Sequence, residues 1–396
     1  MEIFYVVALV LSLACACQCT TVPTSNTNGL TNGLTNISVD VAWEVWVNQN
    51  TYLAYMVDGN TAYVPEQDGV VAVNLDNGTI RWRTNGVFIP GSNIEKIGNY
   101  LYLFENYNNP AASAISNGVT NARIAKIATD GTSIEMLSVG QDINWSTRMY
   151  YLSSDITNLY WGAYGNMFVS LNPANMQESV IYNSTDEFIG KILISNNIAY
   201  VGHVPQAGIS ALGYPGTLTA INLQNNQIMW EITPSNQKLF SGYSLELYGN
   251  SVYVFDNMST GCYNINNGAI VFDTTNNCGG SYGGGVFDSN NYCYFTSFGT
   301  IGNGVYCINR NNGYTIWYDN IGYTLGTTPQ LNNGVLYVDA ITHLRLYNAA
   351  TGVLIGVDTN IKGMQVQYCP TQSYGNLMLI SGGSDGMVAV RMDYKM

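Results

Sequence analysis

The chain has 396 residues, 46% of them hydrophobic, which is enough to bury a large core. Charged residues make up only 10% and Asn supplies roughly one residue in eight, so the surface is polar mainly through amides, hydroxyls and phenols. The net charge is -13 with 13 Lys and Arg, which argues against nucleic-acid binding and gives no support for binding to anionic membrane surfaces.

Residues 1–19 form a predicted leader. Its apolar run, from Ile3 to about Cys17, is shorter than the about 20 residues of a membrane-spanning helix and suits the core of a secretory signal. Leu13-Ala14-Cys15 resembles a lipobox, so Cys15 is a candidate for lipidation, with cleavage and no lipid as the alternative. Contact with a membrane is therefore expected only through this leader or its lipid.

A tether and one folded domain are predicted after the leader. Residues 20–38 are repetitive and contain no charged residue, as is typical of flexible linkers. Residues 39–396 are expected to form a single domain. Sequons would carry glycans only on a glycosylating secretory route. The candidate glycosylation sites are Asn36, Asn77, Asn144, Asn183 and Asn257.

A hairpin pattern recurs along the predicted domain. With Trp82 as position zero, Gly78 lies at minus four, Asn74 at minus eight and Ala72 at minus ten. The step between copies ranges from 39 residues (317 to 356) to 53 (82 to 135), a period typical of repeat architectures. The residues at position zero are Trp82, Glu135, Val180, Trp230, Phe272, Trp317 and Gly356, and further glycines at minus four are Gly268, Gly313 and Gly352.

Each slot has a chemical reason in a β-hairpin. Gly adopts the positive φ that a short loop needs, Asn bonds its side chain to the loop backbone, and the aromatic residue is large enough to wedge between neighbouring sheets. A second run with a central aromatic, such as AYV at 62–64, precedes most hairpins. Four strands per unit and no helical periodicity predict an all-β fold, a β-propeller.

The slot pattern resembles the quinoprotein-type (PQQ-like) propeller repeat, Ala-x-Asp-x-x-x-Gly-x-x-x-Trp, over about residues 40–396. Size, leader and unit number are also similar to the propeller lipoproteins of the bacterial outer-membrane barrel-assembly machinery. The resemblance implies that a catalytic member would carry adjacent cysteines forming a disulfide beside its quinone. No adjacent cysteines follow the leader, so no cofactor is expected.

The two ends of the domain predict how the ring closes. Residues 376–392 begin a last unit, and the chain stops before an outermost strand is formed. Residues 39–48, with Trp43, have the strand character that this unit lacks. We expect them to pair with the C-terminal unit, giving eight blades of four antiparallel strands and no open edge.

Four cysteines beyond the leader lie in one region. In an oxidising compartment, Cys262–Cys278 and Cys293–Cys307 are plausible disulfides. No Cys-x-x-Cys spacing is present, so no zinc site and no other metal site is expected.

Two long segments, 106–122 and 202–216, are predicted to project from one face of the propeller. Loops on a rigid scaffold commonly carry binding sites, and neutral variation in loop length is the alternative. The candidate binding residues on this face are Tyr107, Asn108, His203, Tyr214 and Phe298.

No nucleophile elbow, metalloprotease motif or phosphate loop is present, and His203 and His343 are expected to be structural. The favoured function is a non-catalytic, secreted or cell-surface module that binds a protein or glycan. The alternatives are a quinone-dependent dehydrogenase and a subunit of an extracellular lattice or filament.

Overall fold

The computed structural model is an eight-bladed β-propeller, which confirms the predicted fold class. No helix among the described residues is both long and apolar enough to cross a lipid bilayer. The structure describes residues 39–47, 54–84, 86–105, 123–140, 152–163, 167–184, 187–205, 216–233, 244–255, 260–274, 284–297, 303–321, 328–340, 343–359, 361, 372–381 and 386–393.

The first four blades follow one another along the chain, and each is a four-stranded antiparallel sheet. Blade 1 comprises β2 (Met56–Asp58), β3 (Thr61–Pro65), β4 (Val70–Asn74) and β5 (Ile80–Arg83). Blade 2 comprises β6 (Glu95–Ile97), β7 (Tyr100–Phe104), β8 (Arg123–Ala128) and β9 (Ile134–Ser138). Blade 3 comprises β10 (Leu152–Ser154), β11 (Leu159–Ala163), β12 (Met167–Asn172) and β13 (Gln177–Asn183). Blade 4 comprises β14 (Glu187–Ser195), β15 (Ile198–Pro205), β16 (Leu218–Asn222) and β17 (Gln227–Ile232).

Three more blades repeat this order, and the eighth is composite. Blade 5 comprises β18 (Leu245–Tyr248), β19 (Ser251–Phe255), β20 (Thr260–Asn264) and β21 (Ile270–Thr274). Blade 6 comprises β22 (Gly285–Phe287), β23 (Tyr292–Ser297), β24 (Gly304–Asn309) and β25 (Thr315–Asp319). Blade 7 comprises β26 (Gln330–Asn332), β27 (Val335–Asp339), β28 (Leu344–Asn348) and β29 (Leu354–Asp358). Blade 8 comprises β30 (Gln372–Tyr374), β31 (Leu377–Ser381), β32 (Met387–Arg391) and β1 (Val41–Val45).

The N-terminal strand closes the ring, as the sequence predicts. β1 pairs antiparallel with β32, with Trp43 opposite Ala389 and Val45 opposite Met387. The first strands of neighbouring blades contact each other, as β6 does β10 and β10 does β14, so the first strand of each blade lies innermost. The hydrophobic core is divided into eight clusters, one at each junction between blades.

The outer hairpins have the predicted turn chemistry. In blade 1, the Asn74 side-chain oxygen accepts a hydrogen bond from the Asp76 N–H at 3.0 Å, and the Gly78 N–H donates to the Asn74 carbonyl at 2.8 Å. Gly78 has φ of 72°, where glycine is favoured. The same Asn side-chain bond recurs at Asn172, Asn222, Asn264 and Asn309, and at Asn348 the side-chain oxygen accepts from the Thr351 N–H, three residues on.

The aromatic residues at position zero lie in equivalent places, and their contacts cross from one blade to the next. Trp230 of β17 packs on Gly268 in the outer hairpin of blade 5, and its Nε1 donates to the Ile265 carbonyl at 2.9 Å. Trp43 does the same across the closure, on Gly78 and the Leu75 carbonyl. The other aromatic–glycine pairs are Trp82–Gly131, Phe272–Gly313 and Trp317–Gly352.

The three remaining junctions have no aromatic residue at position zero among the described strands. By sequence count these positions are Glu135, Val180 and Gly356, although in the register of the sheets Met136 lies opposite Ala125 and Ser179 lies opposite Ser170. Where Glu135 and Val180 replace the aromatic, the next hairpins carry Met176 and Asn226, each with φ of 58°, in place of glycine. These hairpin positions therefore carry a side chain only where no aromatic ring of the preceding blade packs on them.

Polar bonds link the blades at those three junctions. The Gly140 N–H donates to a Glu178 carboxylate oxygen at 2.9 Å between blades 2 and 3. Between blades 3 and 4, the Ser153 hydroxyl donates to the Ile192 carbonyl at 2.6 Å. Between blades 7 and 8, the Val39 N–H donates to Asp358 Oδ2 at 2.7 Å.

The predicted Cys293–Cys307 disulfide is wrong: both residues are free, buried thiols. Cys293 lies opposite Ile308 and Cys307 lies opposite Tyr294, and successive residues of a strand point to opposite faces. Cys293 therefore packs in the core between blades 5 and 6, and Cys307 in the core between blades 6 and 7. Cys262 is also a free, buried thiol, and its predicted partner Cys278 lies outside the described residues.

Candidate binding face

The propeller has two unlike faces. Short turns join the first to the second strand and the third to the fourth strand of a blade, for example Gly59-Asn60 between β2 and β3. We call this side the short-turn face. The connections between second and third strands, and those between blades, open on the opposite side, which we call the long-connection face. The strand ends that flank segments 106–122 and 206–215 lie on this second face, and the segments themselves lie outside the described residues.

His203 is the one predicted binding residue that the structure describes, and it does not lie on the surface. It belongs to β15, is fully buried, and packs edge-on against the Tyr182 ring with 5.5 Å between ring centroids. Burial lowers the pKa of His203 to about 4. We therefore remove His203 from the binding face, because the surrounding core prevents contact with an external ligand. Tyr107, Asn108, Tyr214 and Phe298 lie outside the described residues.

Two of the candidate glycosylation sites are described, and both are exposed. Asn77 lies in the outer hairpin of blade 1, where its side-chain oxygen accepts bonds from the Thr79 N–H and hydroxyl. Asn183 ends β13. The other candidates, Asn36, Asn144 and Asn257, lie outside the described residues, as do the leader with Cys15 and the tether.

Two arginine–carboxylate pairs stand at strand ends on the long-connection face. In blade 1, Arg83 donates from Nε and Nη2 to the two oxygens of Glu66 at 2.7 and 3.0 Å. In blade 2, Arg123 binds Glu105 in the same two-bond manner, at 2.6 and 2.6 Å. Glu66 follows β3 and Glu105 follows β7, which are the second strands of their blades. Such fork-to-fork pairs fix the orientation of the guanidinium group.

A third group of polar residues joins blades 6 and 7 at this face. The Tyr347 hydroxyl donates to Asp319 Oδ2 at 2.8 Å, and Arg345 lies 3.5 Å from the same oxygen. Arg345 Nε donates to His343 Nε2 at 2.8 Å. Burial, and then the Asp319 carboxylate, raise the pKa of Tyr347, while burial and then Arg345 lower the pKa of His343. These contacts link Asp319 of blade 6 to Tyr347 and Arg345 of blade 7, so we assign the group a structural role. The lowered pKa of His343 favours its neutral form.

An exposed tryptophan lies beside the blade 1 pair. Trp46 follows β1, its side chain is 61% exposed, and the Arg83 guanidinium carbon lies 6.0 Å from its ring centroid. The sequence assigns Trp46 no role of its own, because residues 39–48 are treated as one strand with Trp43 as its aromatic residue. The signal was present in their spacing: Trp43 and Trp46 are three apart, and alternation along a strand places them on opposite faces.

Charged residues on the innermost strands are joined across blades. Lys96 bonds Asp58 between blades 1 and 2, and Lys191 Nζ lies 3.4 Å from Glu246 between blades 4 and 5. Glu95 is bound separately. It accepts bonds from the Ser154 hydroxyl at 2.7 Å and the Asn93 amide at 2.9 Å, and burial raises its pKa to about 7.

No protein-family model matches the chain, and no curated protein matches it. Solved structures do. BamB from Moraxella catarrhalis is similar with a TM-score of 0.65 at 11% identity, over 91% of this chain and 99% of that chain. The shared property is the propeller fold. The quinohemoprotein alcohol dehydrogenase from Comamonas testosteroni has a TM-score of 0.65 at 10% identity, over 90% and 77% of the two chains. The computationally designed Ika8 protein has a TM-score of 0.59 at 12% identity, over 91% and 99%.

The described residues of the inner strands do not fit the quinone and calcium ion that the dehydrogenase alternative would need. Calcium requires several oxygen ligands, commonly carboxylates. Asp58 and Glu246 each face a lysine, and Glu95 is bound to Ser154 and Asn93. No group of three or more His, Cys, Asp or Glu side chains in the described part of the chain is placed to hold a metal ion. No catalytic step follows from this arrangement.

Proposed function

We propose that the protein is a non-catalytic binding or scaffold module, secreted or held at the cell surface, that binds a protein or glycan through its long-connection face. The observation that carries the proposal is the asymmetry of the two faces. Hydrogen-bonded hairpins with Asn side-chain bonds close the short-turn face. The fixed arginine pairs, and the strand ends from which the long connections start, lie on the opposite side.

The scaffold supports this role because contacts between neighbouring blades hold the ring together. Aromatic–glycine contacts join blades 4 to 7 in series and also seal the closure at Trp43. Arg83 and Arg123 are held by two bonds each, so little side-chain entropy would be lost when a partner binds them. The similarity to BamB at 11% identity supports the assignment of the propeller fold. The identity of the binding partner has to be found by experiment.

Secretion is supported by the sequence of the leader and by the position of two sequons. Asn77 and Asn183 are exposed, so their amide groups are open to modification in a glycosylating compartment. Processing is tested by mass spectrometry of the protein from its native cells. Removal of residues 1–19, with or without lipid on Cys15, is the expected result, and a mature protein that retains Met1 contradicts it.

The binding face is tested by capture from the native cell surface with matched variants. Arg123→Glu breaks an arginine pair on the long-connection face, whereas Arg81→Glu changes an exposed arginine that bonds Asn60 on the short-turn face. We expect the wild-type and Arg81→Glu proteins to capture one specific partner and Arg123→Glu to lose at least about tenfold in recovery. Equal recovery by both variants, or loss only with Arg81→Glu, would contradict the assigned face.

The dehydrogenase alternative has a direct test. Pyrroloquinoline quinone, calcium and an alcohol or sugar are added to the purified chain, and reduction of an electron-accepting dye is measured. We expect no quinone-dependent rate above buffer. Robust turnover would overturn the binding-module proposal. A lattice or filament subunit stays a prediction, which electron microscopy of the purified protein addresses.

A further inference from the structure

Trp46 presents an aromatic ring to solvent from a fixed backbone. The side chain is 61% exposed, whereas Val47 next to it is 2% exposed. Gly386, with φ of 82°, packs directly on the backbone at Val45, Trp46 and Val47, where a Cβ would have no room. The ring is therefore exposed although the chain that carries it is anchored, which is the arrangement of a preorganised contact residue.

Arg83 completes a polar and aromatic pair with this ring. Its Nη2 donates to the Trp46 carbonyl at 3.4 Å and to Glu66, and its Nε also donates to Glu66. Nη1 takes part in none of these bonds. Among the described residues no bond involves Nη1, so its two hydrogens are available to a ligand, and the carboxylate of Glu66 keeps the guanidinium group in place.

The residues around the pair favour one class of ligand. Glu44, two residues before Trp46, and Gln67 and Asp68, directly after Glu66, are exposed and polar, so these described residues do not form a contiguous apolar patch with Trp46. A lipid surface needs such a patch, whereas a sugar needs one aromatic ring and a few directed donors and acceptors. The carboxylates of Glu44, Glu66 and Asp68, with the net charge of -13, disfavour an anionic sugar.

We propose that Trp46 is a stacking platform for a pyranose ring of a neutral glycan, with Arg83 Nη1 donating to a hydroxyl of the same sugar. This inference rests on the proposed binding function and names a ligand class for its long-connection face. The apolar C–H face of the sugar covers the exposed indole, and the carboxylates nearby accept from other hydroxyls. A single platform of this size gives an expected Kd on the order of 1 mM.

The test is binding of the full chain to neutral hexasaccharides: cellohexaose, maltohexaose, chitohexaose and mannohexaose. Saturation-transfer NMR and titration calorimetry are the readouts. We expect at least one to bind, Trp46→Ala to weaken it at least about tenfold, and Trp46→Phe to retain part of the affinity. Arg83→Lys keeps the charge and loses the fork, and we expect a smaller loss of about threefold.

Tyr314→Ala is the matched control, because Tyr314 is 68% exposed and lies in an outer hairpin on the short-turn face. We expect it to bind like wild type, with the thermal midpoints of all variants unchanged. The inference is overturned if none of the four sugars binds, or if Trp46→Ala and Tyr314→Ala bind equally. Partner capture lost with Arg123→Glu but kept with Trp46→Ala would leave the proposed function intact, so the two failures are distinguishable.

Discussion

The indole of Trp82 on β5 lies directly over Gly131 in the outer hairpin of blade 2. A Cβ at Gly131 would stand 2.6 Å from Trp82 Cγ, and the indole Nε1 donates to the Thr129 carbonyl at 3.0 Å. Gly131 also has φ of 75°, which side chains rarely adopt. The glycine is therefore required both by its backbone and by the ring above it, and the pair joins two blades.

Two glycines separate these requirements experimentally. Gly352 has φ of 70° and would place a Cβ 2.6 Å from Trp317 Cδ2, whereas Gly59 has φ of 55° and no heavy atom within 4 Å. We expect Gly352→Ala to lower the free energy of unfolding by about 3 kcal/mol, from overpacking and strain together. Gly59→Ala is expected to cost about 1 kcal/mol, from strain alone. Urea unfolding measures both, and equal losses would show that the indole contact contributes nothing.

Trp43 tests the closure of the ring. Its side chain is 8% exposed, packs on Gly78 and donates to the Leu75 carbonyl at 2.8 Å. We expect Trp43→Ala to lower the free energy of unfolding by about 3 to 5 kcal/mol, because it removes a large buried side chain. Trp46→Ala, three residues away and exposed, should change it by less than about 0.5 kcal/mol. Similar denaturant midpoints for the two variants would contradict the assigned closure.

Glu95 predicts a dependence of stability on pH. Burial raises the pKa of its carboxyl from 4.5 to about 7, so folding takes up a proton between these values. The contribution of Glu95 to stability is therefore complete below pH 4.5 and is lost as pH rises to about 7, at no more than about 1.4 kcal/mol per pH unit. His203, whose pKa is lowered to about 4, has the opposite effect: its contribution is lost as pH falls from 6.5 to about 4.

Glu95→Gln isolates the carboxyl from His203. We expect the variant to gain stability relative to wild type as pH rises from 5 to 8, measured as the difference between their urea midpoints. Glu135→Gln, which removes an exposed carboxylate paired with Lys126, is the control and should show a nearly constant difference. A constant difference for Glu95→Gln as well would refute the assigned titration.

Most of the architecture was readable in the sequence because each slot has a local chemical role. The turn at Asn74 and Gly78 depends only on residues close in the sequence. The alternation of side chains along each strand then determines which residues face the core. The sequence does not predict that Trp82 contacts Gly131 of the next blade. Aligning the repeats shows which positions are equivalent, but it does not show which residues of neighbouring units touch. The link becomes visible in Met176 and Asn226, which replace glycine after the units that lack an aromatic.

The candidate site was less predictable because it depends on side-chain direction. His203 falls within a segment that the sequence assigns to a long loop, but β15 extends through Pro205 and buries the imidazole. Cys293 and Cys307 have a spacing that suits a disulfide, yet they point to opposite faces of one sheet. Trp46 is exposed because it lies three residues after the buried Trp43, and alternation places residues three apart on opposite faces.

The pairing of β1 with β32 sets an order of events during synthesis. β1, the first described strand of the chain, is the outermost strand of blade 8, which is otherwise formed by β30, β31 and β32. This blade is therefore complete only when both ends of the domain have been made. Before β32 is made, Trp43 has Gly78 to pack on, but β1 has no strand to pair with. β1 is therefore an unpaired edge strand until β32 is available, which makes ring closure a late, long-range step of folding.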